Sequence, residues 1–169
     1  MKKQRKKATR KAKAVKPIPP GYHSVTPYLA CGDAARAIDF YKKAFGAVEL
    51  MRMPGPNGKI GHAEVKIGDS RVMLTDEYRE MDFLSPMTRG GTTVHIHLYV
   101  ADADKMAERA VTAGARLVHP VQDKFYGDRT GTVQDPFGHV WHLATHTEDL
   151  SMAELRKRGE KAMKEMSGG

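Results

Sequence analysis

The chain has 169 residues, 40% of them hydrophobic and 28% charged, a globular balance that excludes collagen-like and wholly unfolded classes. No run approaches the roughly 20 apolar residues of a membrane span, and no apolar segment follows the charged N-terminus, which argues against a secretory signal. Cys31 is the one cysteine, so no disulfide can form within the chain and a reducing cytoplasm is the expected setting.

The formal charge of +8 is unevenly placed. Residues 1–16 carry nine Lys and Arg and no acid, leaving nineteen basic residues against twenty acidic ones in the rest. The basic character therefore belongs to an extension, which removes the main argument for a nucleic-acid-binding fold. Residues 1–21 read as a disordered basic tail and a Pro-rich linker, ending in Pro17, Pro19, Pro20 and Gly21. Such a tail is expected to touch phosphate weakly and with strong salt dependence, as a minor nucleic-acid association.

Residues 24–30 then read as a strand. Asp33 caps a predicted helix over 34–45, with Ile38, Tyr41 and Phe45 on one stripe and Gly46 as its stop. Residues 48–53 suit a strand, 54–58 a turn, and 60–67 and 71–75 alternate as strands. The order then restarts, with a strand at 92–100, a helix from the Asp102 cap to Ala113 ended by Gly114, and strands at 116–121, 130–134 and 140–145. Asp33 and Asp102 lie 69 residues apart, Gly46 and Gly114 68, and Val72 and Trp141 69. That period predicts an α+β fold of two βαβββ modules, about 22–80 and 90–148, within one domain over 22–150. Ser151 and Glu154 suit a capping box opening a charged C-terminal helix over 151–169.

Strand alternation sorts the side chains into two faces. Ala63, Val65, Ile67, Val72 and Leu74 in the first module, and Val94, Ile96, Leu98, Trp141 and Leu143 in the second, make apolar faces for the helices. The opposite faces carry Tyr28, His62, Glu64, Met73, His95, His97, Tyr99 and His142. A polar sheet face rich in histidine is costly unless it meets water, a ligand or a metal, so this concave face is the candidate site.

Thr26-Pro27-Tyr28-Leu29, Ala37-Ile38-Asp39-Phe40-Tyr41 and Ala44-Phe45-Gly46-Ala47 resemble the first module of the vicinal-oxygen-chelate superfamily, which includes glyoxalase I, bleomycin-resistance proteins and extradiol dioxygenases. Gly61-His62-Ala63-Glu64, Phe125-Tyr126-Gly127-Asp128-Arg129 and Asp135-Pro136-Phe137-Gly138-His139-Val140-Trp141 are similar to its PhnB-like, glyoxalase-related branch. The resemblance covers residues 24–150 and implies a mixed-sheet cup, a small-molecule ligand and a C₂ homodimer.

In metal-using relatives four ligands come from equivalent strand positions, which the resemblance places on Thr26, Met73, His95 and His142. The two histidines suit a divalent Zn, Ni, Fe or Mn ion, while Thr26 and Met73 leave the set incomplete. His62 and Glu64 offer an acid/base couple, against an ion pair of Glu64 with Lys66. Tyr28, Met73, His97 and Tyr99 are the ligand-binding candidates. Arg129 is a further one, against an internal salt bridge of the Asp128-Arg129 signature at the cup mouth. The turn 135–138 and Cys31 carry no chemistry of their own in this reading.

Two functions stand side by side. One is a glyoxalase-like isomerase or lyase acting on a carbonyl or thiol-adduct substrate, with or without a metal. The other is a non-catalytic small-molecule-binding protein of bleomycin-resistance type.

Overall fold

The computed structural model describes residues 15–167. The basic tail therefore lies, over residues 1–14, outside the described residues, as do residues 168–169 at the other end. The first module runs β1 (Tyr28–Cys31), α1 (Ala34–Phe45), β2 (Val48–Pro54), β3 (Ile60–Ile67) and β4 (Ser70–Asp76). A linker holding the one-turn helix α2 (Pro86–Arg89) leads to the second module: β5 (His95–Tyr99), α3 (Ala103–Thr112), β6 (Arg116–Asp123), β7 (Asp128–Gln134) and β8 (Val140–His146). The last element is α4 (Met152–Ser167). The sheets have matching orders, β1-β4-β3-β2 and β5-β8-β7-β6, and in each the first strand runs parallel to the last. These are the two βαβββ units that the sequence period predicts.

Local chemistry explains the boundaries. The Asp33 carboxylate accepts from Arg36 N–H at 2.9 Å to start α1, and Gly46 ends it at φ 67°, a left-handed conformation that side-chain-bearing residues resist. Buried Asp76 accepts from the backbone N–H groups of Ala34 and Ile60 at 2.7 and 2.6 Å, which pins the start of α1 and of β3 to the end of β4. Two strands start later than the alternation predicts. β1 begins at Tyr28 because Pro27 has no N–H for the ladder, although its carbonyl still accepts from Met73 N–H at 2.9 Å. β5 begins at His95 because the Thr92 hydroxyl bonds the N–H and carbonyl of Val94, bending the chain locally. The capping box at α4 forms by half. Ser151 Oγ accepts from Glu154 N–H at 3.2 Å, but the Glu154 carboxylate turns to Arg158 at 3.1 Å.

The modules are joined through their apolar faces, since β1 and β5 lie in separate sheets. Trp141 of β8 packs on Phe45 and Tyr41 of α1 at 4.7 and 5.4 Å between ring centroids, and all three side chains are buried. Asp135, in the β7–β8 turn and buried, sits at the end of this cluster. Its Oδ2 accepts from Tyr41 Oη at 2.8 Å and Trp141 Nε1 at 3.0 Å; its Oδ1 accepts from the N–H groups of Phe137 and His139, both at 2.9 Å. His139 extends the junction, with Nε2 3.1 Å from the Ala30 carbonyl oxygen and 4.0 Å from Cys31 Sγ. Burial holds the His139 imidazole below its usual pKa and pushes the Tyr41 phenol and the Cys31 thiol up, so all three are neutral around pH 7.

Asp135→Ala strands four buried donors that belong to both modules. The expected loss is about 3 kcal/mol, or roughly 10 °C in melting temperature for a domain of this size. Tyr41→Phe, which removes one of those bonds, is expected to lose only about 1 kcal/mol. Equal losses in thermal melts of the two variants would contradict the role given to Asp135.

Candidate functional site on the open sheet faces

With one face of each sheet covered by helices, the other stays open. In the first module the register sets Tyr28 opposite Met73, Met73 opposite Glu64, Glu64 opposite Met51, and His62 opposite Met53. Glu64 is 4% exposed and fully engaged. Its Oε1 accepts a short hydrogen bond from the Tyr22 hydroxyl and lies 3.4 Å from His62 Nε2, and its Oε2 accepts from Arg71 Nη1 at 2.8 Å. His62 Nδ1 lies 3.0 Å from Tyr28 Oη. Burial raises the Glu64 pKa, but the donors from Tyr22, Arg71 and His62 outweigh it and hold the carboxyl below its ordinary range. The ion pair of Glu64 is thus with Arg71, across the β3–β4 ladder, and not with Lys66, which is exposed.

In the second module His97 stands opposite His142, which stands opposite Thr132. His95 Nδ1 and His142 Nε2 converge to 3.0 Å, and His142 Nδ1 lies 2.9 Å from Thr132 Oγ1. His97 stacks on His142 at 6.0 Å between centroids and packs at a tilt against Tyr99 at 4.8 Å. Burial, then the neighbouring His95, His97 and His119, lower the pKa of His142, leaving it a neutral imidazole at pH 7. Beyond Tyr99, buried Asp128 accepts from the Tyr99 hydroxyl at 2.9 Å and lies 2.7 Å from His146 Nδ1; His146 Nε2 reaches Asp149 at 3.1 Å.

Arg129 is not brought to this surface. Alternation turns it toward α3, where Nε and Nη2 grip Asp104 at 2.6 and 2.8 Å, while Nη1 meets Asp123 at the end of β6 at 3.1 Å. Asp128 and Arg129 are adjacent in sequence but face opposite sides of β7, so the salt bridge of this signature is made with outside partners and not within the pair. Tyr28, His95 and His97 do come together, around a cleft of about 970 Å³ between the β1 and β5 edges, with Phe83, Leu84 and Val94 of the linker as apolar wall.

By the shared register Met73 and His142 occupy equivalent places, as do Thr26 and His95, two residues before Tyr28 and His97. As a donor set for a divalent ion the second module fits: two imidazoles converge and one is oriented by a threonine hydroxyl. The first module does not fit, because a neutral hydroxyl and a thioether are poor ligands for Zn, Ni, Fe or Mn. Among the described residues, no three His, Cys, Asp or Glu side chains converge as a metal cluster. Four site residues escaped the sequence reading. Arg71 shares the face of Met73 by simple alternation and was legible, as was Thr132; Tyr22 and Phe83 reach the site from irregular segments that no periodicity flags.

The comparisons agree with the fold. Residues 21–143 match the family model described as the glyoxalase/bleomycin resistance protein/dioxygenase superfamily. The chain belongs to that family. An uncharacterized protein of Mycobacterium tuberculosis is 46% identical over 136 residues, covering 79% of this chain and 80% of the relative. Among solved structures, TioX from Micromonospora sp. ML1 is 30% identical with a TM-score of 0.57, covering 76% of this chain and 100% of that one. The fosfomycin resistance protein FosX from Mesorhizobium loti shares the fold at 20% identity and a TM-score of 0.55, over 76% of this chain and 93% of its own. No helix among the described residues is long and apolar enough to cross a membrane.

Asp128 gives a pH-dependent signature. Hydrogen bonds to Asp128 and Asp149 raise the pKa of His146 above its ordinary 6.5. The stabilisation from this pair is therefore complete below the unfolded value and is lost as pH rises through the folded one. The His146 midpoint in an NMR titration is expected above 6.5 in the wild-type chain and lower in Asp128→Asn than in the wild type, with Asp149 still in place; a midpoint indifferent to that substitution would refute the pairing.

Proposed function

We propose that the chain is a small-molecule-binding protein of the bleomycin-resistance type, whose open sheet faces close over a ligand in a C₂ homodimer. The observation that carries this reading is the state of the polar groups. Glu64 and Asp128, the buried carboxylates of the two open faces, are saturated by partners within the chain, while aromatic and thioether side chains beside them stay uncovered. Tyr28 is 45% exposed, Met53 53% and Tyr99 61%. Saturated carboxylates hold their neighbours rigid, and exposed rings and methionines supply contact area and adaptability. That combination serves recognition more than proton transfer. Large apolar side chains on open faces also favour a second copy as cover, and a symmetric dimer would set each first-module face against the partner's second-module face.

A melting screen of planar and aromatic small molecules tests the reading. A ligand at a hundred times its Kd is expected to add about 2.7 kcal/mol, roughly 8 °C, to a particle that sediments as a dimer. Tyr28→Ala and His97→Ala are each expected to weaken that ligand about tenfold, a loss of about 1.4 kcal/mol. Failure of every ligand to shift the melt, or a monomer in sedimentation, would overturn it.

The convergence of His95 and His142 favours a second reading, a metal-assisted glyoxalase-like enzyme. There the two histidines would hold a divalent ion, and the face carrying His62 and Glu64 would supply further donors from the partner. A bound ion would supply Lewis acidity for a carbonyl or thiol-adduct substrate. Elemental mass spectrometry decides between the readings. About one Zn, Ni, Fe or Mn per chain, lost in His95→Ala/His142→Ala, supports the enzyme; no uptake of any of these ions supports the binding protein.

A further inference from the structure

Just before β1 the chain crosses the open face of the first sheet and leaves one ring on it. Residues 15–27 form neither strand nor helix, and Tyr22 is held there by side chains. Its hydroxyl donates to Glu64 Oε1, its ring lies under the Arg71 guanidinium at 4.3 Å from the centroid, and Arg71 Nε donates to the Gly21 carbonyl at 3.2 Å. Arg71 also holds the other oxygen of Glu64 at 2.8 Å. The carboxylate and guanidinium thus make a seat with two requirements: a flat π-face for the cation and an O–H donor for the anion.

The second module shows that the βαβββ unit does not require this seat. Glu64 stands opposite Met73 as Thr132 stands opposite His142, so Thr132 is its counterpart. Arg71 and Val140 occupy equivalent places, each two residues before those partners. Module two folds into the same sheet without the ion pair and without a ring laid over it.

We propose that Glu64 and Arg71 form a binding subsite for phenols, and that Tyr22 is its resident and displaceable occupant. The proposal rests on the reading of the open faces as a ligand cup and names one chemical group that the cup takes. A phenolic ligand replaces Tyr22 group for group: its ring stacks on Arg71, its hydroxyl donates to Glu64 Oε1, and the strap at 15–27 lifts. A ligand with the same ring and no O–H leaves that oxygen of a buried carboxylate with only the 3.4 Å contact to His62 Nε2, and the seat rejects it.

The probes are 4-fluorophenol and 4-fluoroanisole, which keep the ring and differ in the donor, followed by fluorine NMR on the full chain. Tyr22→Ala empties the seat, and we expect it to bind 4-fluorophenol at least ten times more tightly than the wild-type chain. 4-Fluoroanisole should show no such gain, and Tyr22→Ala/Glu64→Gln should lose it. Should Tyr22→Ala fail to fold, Gly21→Ala serves instead. Gly21 sits at φ +82°, and an added Cβ would meet Arg71 Nη2 at 3.1 Å, so this variant loosens the strap while keeping the ring. Equal phenol affinity in the wild-type and strap variants, an equal gain for the anisole, or a gain that survives Glu64→Gln would each overturn the subsite. A melting-screen ligand that stabilises wild type and Tyr22→Ala alike, without any phenol gain, would sink the subsite and leave the cup standing. A phenol gain with no screen ligand at all would do the reverse.

Discussion

Asp135 is the constraint on which the arrangement of the two halves depends. A lone carboxylate in a closed aromatic cluster would be untenable, yet four donors converge on it, two from its own turn and two from large rings. One of those rings, Tyr41, belongs to the first module, and the turn belongs to the second. The five-residue loop between β7 and β8 therefore does more than reverse the chain. It fixes α1 of the first module against Trp141 of the second.

Joining the halves by their helix-covered faces has a consequence for the other side. Neither sheet covers the other, and both open faces are left to solve their own electrostatics. They do so differently. The first binds its carboxylate with a guanidinium and a phenol; the second binds Asp128 with the Tyr99 phenol and His146, and sets His142 against His95, His97 and Thr132. The repeat is kept in the strand order and register, while the polar chemistry of the two units differs.

Much of the fold was legible in the sequence. Helix α1 and strand β3 begin and end where capping and alternation place them, because Asp33, Gly46 and the turn at 54–58 are strong local signals. Boundaries slipped where one residue overrode the pattern, as Pro27 does at β1 and Thr92 at β5. The site was legible in part. Alternation brought His62, Glu64, His95, His97 and His142 to the open faces, but it treats each strand alone. It could not show that Asp104 of α3 and Asp123 of β6 hold Arg129, nor that Tyr22 folds back across 42 residues to reach Glu64. Long-range pairing and irregular segments carry no period, and that is where the sequence reading fell short.

Cys31 also gains meaning from its place. It closes β1 at the seam between the halves, fully buried, with His139 of the opposite module 4.0 Å from its sulfur. Burial keeps the thiol protonated, so a thiol-directed dye meets nothing reactive while the seam stays shut. The molecule thereby carries its own clock: the pace at which Cys31 takes up such a dye counts how often the two modules part.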